Sequence, residues 1–187
     1  MFVALMTLTA CGNTSGATQS QTESSAPTAK NGHILVVYFS ATGNTKRVAE
    51  TIANQEKGTL FEIKPSQPYT EDDLNYQDSS SRVVKEHNQP DSRPNYDGDV
   101  ENWDSYDTVY IGYPSWWQQA PNVVYTFVEH HNFSGKKVIP FCTSYSSPLG
   151  TSGTNLAKAA GTGDWQEGIR FSGGVGTAEV LNWLKEK

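Results

Sequence analysis

The chain has 187 residues, a formal net charge of −6 and hydrophobic residues at 36%. That length suits one domain of about 150 residues plus a polar extension, large enough to bury a core without disulfide staples. No basic stripe exists to neutralise a phosphate backbone, which excludes nucleic acid, and the two cysteines, Cys11 and Cys142, are not spaced as metal ligands.

In chain order, residues 1–11, "MFVALMTLTAC", are an apolar run that ends in small residues and a cysteine. They resemble the lipobox of bacterial lipoproteins, carried by Leu8, Thr9, Ala10 and Cys11, although no Lys or Arg precedes the run as the basic start of such a signal. The resemblance implies cleavage before Cys11 and diacylation of its thiol. Residues 12–32, "GNTSGATQSQTESSAPTAKNG", are a low-complexity Ser/Thr/Gln stretch with nothing to bury, which reads as a disordered tether. Anchor and tether place the folded body on the outer side of a membrane; without a working signal the protein is cytoplasmic. No apolar run reaches the roughly 20 residues that span a bilayer.

From residue 33 the character changes. Residues 33–39, "HILVVYF", are short, β-branched and continuously apolar, the pattern of a strand covered on both faces of a parallel sheet. Residues 44–55 place Val48, Ala49, Ile52 and Ala53 on one helical stripe, and residues 58–63 read as a second strand. Residues 64–106 are rich in Pro, Asp, Asn, Ser and Tyr, and only 79–88 look helical. Compact domains rarely spend so many residues on bare loop, so a short helix wrapped by ordered loop is expected there. The acidic runs at 70–78 and 97–104 read as solvated surface. A third strand follows at 107–113, then a helix at 120–131 with Pro121 in its first turn and Val124, Phe127 and Val128 facing inward. A fourth strand at 136–143, a weaker fifth at 168–171 and an amphipathic helix at 177–187, with Thr177 as its N-cap, complete the series. Five strands alternating with helices imply an α/β fold, an open parallel sheet with helices on both faces.

In such a sheet the ligand sits outside the carboxyl ends of the strands, and three loops qualify: 40–45, 114–119 and 144–152. The first, "SATGNT", precedes a helix start, whose unpaired N–H groups and positive dipole end favour a phosphate. Ser40, Thr42 and Thr45 add hydroxyls, Asn44 an amide, and Gly43 lets the backbone close in. An ordinary capped turn uses the same residue types. The spelling is neither that of the nucleoside-triphosphate loop nor that of the dinucleotide loop. The second loop carries Pro114, Ser115, Trp116 and Trp117. Two adjacent tryptophans in a loop do not both enter the core. One or both are exposed where a flat aromatic ligand stacks, unless Trp117 packs between helices and Trp116 caps the sheet edge. The third loop offers Tyr145 as a second ring, with Thr143, Ser144 and Ser146 as polar neighbours. A phosphate at one end and a planar ring at the other describe FMN.

From about residue 33 to 187 the chain resembles flavodoxins, most closely the flavodoxin-like lipoproteins and stand-alone domains of bacteria and archaea. Four motifs carry the resemblance in order: "VVYFSATGNT" (36–45), "YDTVYIGYPSWW" (106–117), "APNVVYTFVE" (120–129) and "FSGKKVIPFCTS" (133–144). It implies a three-layer sandwich whose five-stranded parallel sheet has the order 2-1-3-4-5, with FMN as cofactor. The phosphate contacts fall to Ser40, Thr42, Gly43, Asn44 and Thr45, and the ring contacts to Pro114, Ser115, Trp116 and Trp117 and to Thr143, Ser144 and Tyr145. Relatives often have glycines where this chain has "YSSPLG" at 145–150.

The implied function is electron transfer with no catalytic side chain and no metal. A monomeric carrier would dock a reductase and an acceptor through its acidic surface, and that charge would lower the potential of the last reduction step. An FMN-dependent NAD(P)H:quinone or nitro-group reductase is the alternative, with residues 64–106 walling in the substrate. A phosphate-switched receiver domain is set aside, because Phe39 and Ser40 stand where its Mg²⁺-binding acids would be. His130 and His131 suit a helix C-terminus, Cys142 an inert core position, and Lys46 and Arg47 solvent. Ser115 lacks the G-x-S-x-G elbow of a hydrolase.

Overall fold

Alternation within the first strand sets the layering. In the computed structural model, which describes residues 33–187, β1 (His33–Tyr38) sends Leu35 and Val37 into one core and Val36 and Tyr38 into another. All four are buried, so each face of the strand needs its own helical cover. The lipobox with Cys11 and the tether at 12–32 lie outside the described residues.

The cover comes from α1 (Asn44–Glu56) and α5 (Thr177–Leu184), packed together on one face, and from α3 (Asn122–His130) and α4 (Ser152–Ala160) on the other. Beside β1 lie β2 (Thr59–Glu62) and β5 (Tyr106–Pro114), and beyond β5 lies β6 (Lys137–Ser144), all parallel. The far flank of β6 is shared by β7 (Asp164–Trp165) and β8 (Ile169–Ser172). The order β2-β1-β5-β6-β7/β8 is the expected 2-1-3-4-5 sheet with its fifth position split.

The split has a cause in β6. Pro140 has no N–H to give a neighbouring strand, and a proline in mid-sheet is tolerated where pairing lapses. The flanking pairs stop at Val138↔Trp165 and resume at Phe141↔Ile169, so the break falls opposite Pro140.

Two other expectations are corrected. The terminal helix is capped by Gly176, whose backbone is extended, with no side-chain cap bond; Thr177 is already the first helical residue. And α4 forms where no helix was expected. Its anchoring is largely polar: Leu156 is its one fully buried apolar side chain, beside Ser152 and Gly153. Ser152 Oγ donates to Leu149 O (2.6 Å), so the buried Tyr113 hydroxyl at 2.9 Å is the donor to Ser152. A helix docked by a hydroxyl pair leaves little hydrophobic periodicity to read.

Residues 64–106 contain α2 (Arg82–His87), capped by Ser81, and a two-stranded ribbon of β3 (Lys64–Pro65) with β4 (Tyr96–Asp97). The polar stripe of α3 bolts this segment down. Asn122 Nδ2 donates to Glu86 O, Gln89 O and Ser92 Oγ (3.0, 3.0 and 2.6 Å), Thr126 Oγ1 to Pro94 O (2.9 Å), and Glu129 takes both arms of Arg93 (2.8 Å each). Those three positions, four and three residues apart, share one side of the helix, while Val123, Val124, Phe127 and Val128 face the core. His131, at the C-terminus of α3, closes the segment on Asp99 (3.0 Å).

Gly112 and Cys142 report on the centre of the sheet. A Cβ at Gly112 would fall within the Phe141 ring, so Gly112→Ala is expected to cost about 1–3 kcal/mol or more, read as a lower urea midpoint at constant m. Burial pushes the Cys142 thiol up to about 12, against about 8.5 in an unfolded chain. Between those values the unfolded chain releases a proton that the fold retains, so this group's contribution to stability falls as pH rises. At pH 8 peptide mapping should find Cys142 unalkylated in the native protein and alkylated after unfolding.

Candidate functional site

The loops after β1, β5 and β6 end at one edge of the sheet and enclose a cleft of about 530 Å³. At the β1 end, Gly43 holds a left-handed conformation (φ 84°) that turns the chain into α1, and its N–H donates to Ser40 Oγ (3.1 Å). The next amides, of Asn44, Thr45 and Lys46, are the first of α1 and have no acceptor within the helix. Asn44 Nδ2 donates to Thr42 Oγ1 (3.3 Å), which leaves the Thr42 hydroxyl proton free for another acceptor. Thr45 is buried instead, its hydroxyl bonded to that of Thr143 (2.8 Å), and so locks α1 to the end of β6.

At the β5 end the chain makes a tight turn. Trp116 and Gln119 exchange both backbone hydrogen bonds (3.0 and 2.9 Å), and between them Trp117 and Gln118 both take positive φ, 48° and 64°. Left-handed backbone costs an L-residue about 1–2 kcal/mol, so this turn is held against its own preference. Trp116 is half-buried, edge-on to Phe39 and Tyr69 (5.7 and 5.5 Å). Trp117 is 40% exposed on the cleft and stacks one ring face on His87 (4.3 Å). One tryptophan therefore packs inward and the other is presented at the edge. Ser115 donates its N–H to Thr143 O (2.9 Å), but its buried Oγ has no partner, alone in this among buried side-chain polar atoms of the described residues. Such a group costs about 1–3 kcal/mol of desolvation.

The β6 end is pinned from β8. Arg170 donates to Ser144 Oγ (3.0 Å), Ser144 O (2.9 Å) and Tyr145 O (2.6 Å), while Arg47, on α1, donates to Gly173 O (2.7 Å). Tyr145 itself stands 89% exposed.

Nine of the twelve expected residues line the cleft: Thr42 and Asn44; Pro114, Ser115, Trp116 and Trp117; Thr143, Ser144 and Tyr145. Ser40, Gly43 and Thr45 shape the first loop from behind it. Ser146, the expected polar neighbour in the third loop, lines the cleft too; lining residues not expected are Leu74, Tyr76 and Val83 from the long segment, Ala41 and Ser147 from the flanking loops, and Gly173. The Gly173–Gly174 pair after the fifth strand was a readable signal, since a glycine break at that edge lets neighbours approach; Tyr76, alone in a polar run, gave none. No side chain of the lining carries a formal charge. A smaller pocket of about 360 Å³ lies behind Trp117, where Arg93 is paired with Glu129 and Asn155 with Gln119 (2.8 Å each).

A family model described as Flavodoxin matches residues 33–187. The chain belongs to the flavodoxin family. It is similar to a Bacteroides eggerthii protein assigned as a flavoprotein, with 42% identity and a TM-score of 0.76 over 83% of this chain and 97% of that one. It is also similar to one from Bacteroides uniformis, with 40% identity and a TM-score of 0.78 over 82% and 98%. A Lactobacillus acidophilus flavoprotein in complex with FMN shares the fold at 20% identity and a TM-score of 0.62, over 82% and 99%. No curated protein matches the chain.

The orphaned hydroxyl makes a test possible without any ligand. Ser115→Ala removes a buried oxygen that bonds nothing, so the ligand-free variant should be at least as stable as the parent, by up to about 1 kcal/mol in urea denaturation. A marked loss of stability would mean that Ser115 Oγ is bonded within the fold.

Proposed function

We propose that this protein binds FMN in the cleft and transfers electrons between redox partners. The observation that carries the reading is the polarity of the cleft from end to end: free amides and hydroxyls at a helix N-terminus, then an uncharged wall of aromatic and small residues. A monophosphate fits the first and a flat heteroaromatic ring the second. The amides of Asn44, Thr45 and Lys46 with the Thr42 hydroxyl would hold the phosphate, and Trp117 and Tyr145 would shield the ring. Ser115 Oγ is a hydroxyl in need of a partner where a ring heteroatom can supply one.

Bound FMN supplies the redox chemistry, and the protein supplies binding, orientation and electrostatics. The lining has no carboxylate, imidazole, ammonium or guanidinium, so no side chain there relays protons near neutral pH. Partners, a reductase and an acceptor, would dock on the acidic surface of a chain of net charge −6. Acylation of Cys11 would hold the protein on the outer side of a membrane.

One observation favours a second reading, an FMN-dependent oxidoreductase acting on a small substrate: Leu74, Tyr76 and Val83 of the long segment line the cleft as well. Steady NAD(P)H oxidation with a quinone would support that enzyme, and rapid reduction by a reductase without such turnover would support the carrier.

The cofactor test is direct. Protein purified from cells, or mixed with FMN and desalted, should show flavin absorption bands, and Thr42→Phe should abolish uptake while keeping the parent's far-UV circular dichroism. Normal uptake by Thr42→Phe would place the phosphate elsewhere.

A further inference from the structure

Among the described residues four large hydrophobic side chains are exposed, and three of them rim this one cleft: Tyr76 (70%), Trp117 (40%) and Tyr145 (89%). They come from three separate segments. A planar cofactor ring has two faces, so two of these side chains suffice to cover it. Trp117 and Tyr145 stand on the loops after β5 and β6; Tyr76 belongs to neither and is surplus to that need.

The turns on either side of Tyr76 are closed by hydrogen bonds. Thr70 donates N–H and hydroxyl to Asp73 Oδ2 (2.9 Å each), and Asp73 N–H returns a bond to Thr70 Oγ1 (3.1 Å). Asn75 Oδ1 accepts from Gln77 N–H (3.1 Å), Asp78 Oδ1 from Ser80 N–H and hydroxyl (2.8 Å each), and Asp73 O from Val83 N–H (3.0 Å). Exposing an aromatic ring on a hydrogen-bonded turn, next to two others, leaves apolar area in water with no compensating contact, the mark of a surface that meets something. Leu74 and Val83 extend the same apolar ledge into the cleft.

Charge selects the guest. The ledge and the cleft carry no charged side chain, yet the turns around Tyr76 hold Glu71, Asp72, Asp73 and Asp78. Bonds from Thr70 and from Ser80 keep the Asp73 and Asp78 carboxyls below the usual range, so both stay anionic down to acid pH. Arg82 and Lys85 lie close enough to act on these carboxylates, but Arg82 is paired with Glu86 (2.6 Å), so the rim stays net negative; the phosphates of a pyridine dinucleotide would be disfavoured there and a neutral ring would not.

We propose that Tyr76, with Leu74 and Val83, forms a second stacking site in the cleft that binds a neutral planar aromatic molecule of the quinone class beside the flavin. This rests on the FMN reading above.

Equilibrium dialysis of oxidised, FMN-loaded full-length protein against 1,4-naphthoquinone tests it. Saturable binding of one molecule per chain is expected. Tyr76→Ala should weaken it roughly threefold to tenfold, Tyr76→Phe should keep it, and both should retain the parent's affinity for FMN. At low salt anthraquinone-2-sulfonate should bind more weakly than anthraquinone, and the gap should close as salt is added. The proposal is overturned if naphthoquinone does not saturate, if Tyr76→Ala binds it like the parent, or if the sulfonate binds as tightly as the neutral ring. Loss of FMN by Tyr76→Ala would overturn it too, because Tyr76 would then belong to the flavin itself. Wild-type protein that takes up no FMN at all would defeat the flavin reading, and this inference with it, an outcome separable from loaded protein that ignores the quinone.

Discussion

β1 is hydrogen-bonded to β2 on one side and to β5 on the other, and the whole site depends on that sharing. A parallel neighbour cannot be reached by a hairpin, so each crossing must travel over a face of the sheet. The chain leaves β1 through α1 toward β2 and later returns on the opposite side to lay down β5. Where the two directions part, the loops after β1 and β5 diverge and leave a crevice at the carboxyl edge. Nothing in the cleft's chemistry opens it; the strand order does. At the seam between β5 and β6, Gly112 lets the Phe141 ring lie across β5, and the pairing that ends at Pro114↔Thr143 brings the second and third loops side by side.

Around that crevice two kinds of polar chemistry meet. The long segment is tied down by hydrogen bonds: α3 grips it with Asn122, Thr126 and Glu129, and its turns are closed by Asp73, Asn75 and Asp78. Inside the cleft the reverse holds. A buried hydroxyl goes without a partner, two bulky residues sit in left-handed backbone, and helix amides face outward. Departures from local preference gather where a protein does something other than fold. The unpartnered hydroxyl and the two left-handed residues lie within a few residues of one another, from Ser115 to Gln118, while the helix amides face them from the first loop; Lys57 and Asn102 take the same backbone region elsewhere, at the ends of helical turns.

The layering was legible because it rests on periodicity. Leu35, Val36 and Val37 announce a strand covered on both faces, and Val48 and Ile52 a helix that covers one of them. Loop positions follow from strand ends, so the three loops of the site could be placed from residue types alone. What escaped had no periodic signal. The α4 helix is moored by a tyrosine–serine hydroxyl pair and a single leucine. The division of the fifth strand is written in Pro140, one strand away from where it shows. Thr177 looked like a cap because threonine often is one, yet Gly176 with extended backbone does the work one residue earlier. Thr45 offered a hydroxyl for the same reason, but that hydroxyl is bonded to Thr143, which leaves the Thr45 amide alone to face the cleft's first loop. Tyr76 was hidden by its context, since a lone aromatic in an acidic run reads as surface until the fold carries it to the rim.

The uncharged lining has a consequence for how the site would respond to its surroundings. No carboxylate, imidazole, ammonium or guanidinium lines the cleft, although the His87 imidazole stacks on Trp117 at its edge (4.3 Å). A phosphate monoester bound there would bring its own second ionisation at about pH 6, and a proton-uptake measurement made on the complex would count the visitor's protons together with any taken up by the protein around the cleft.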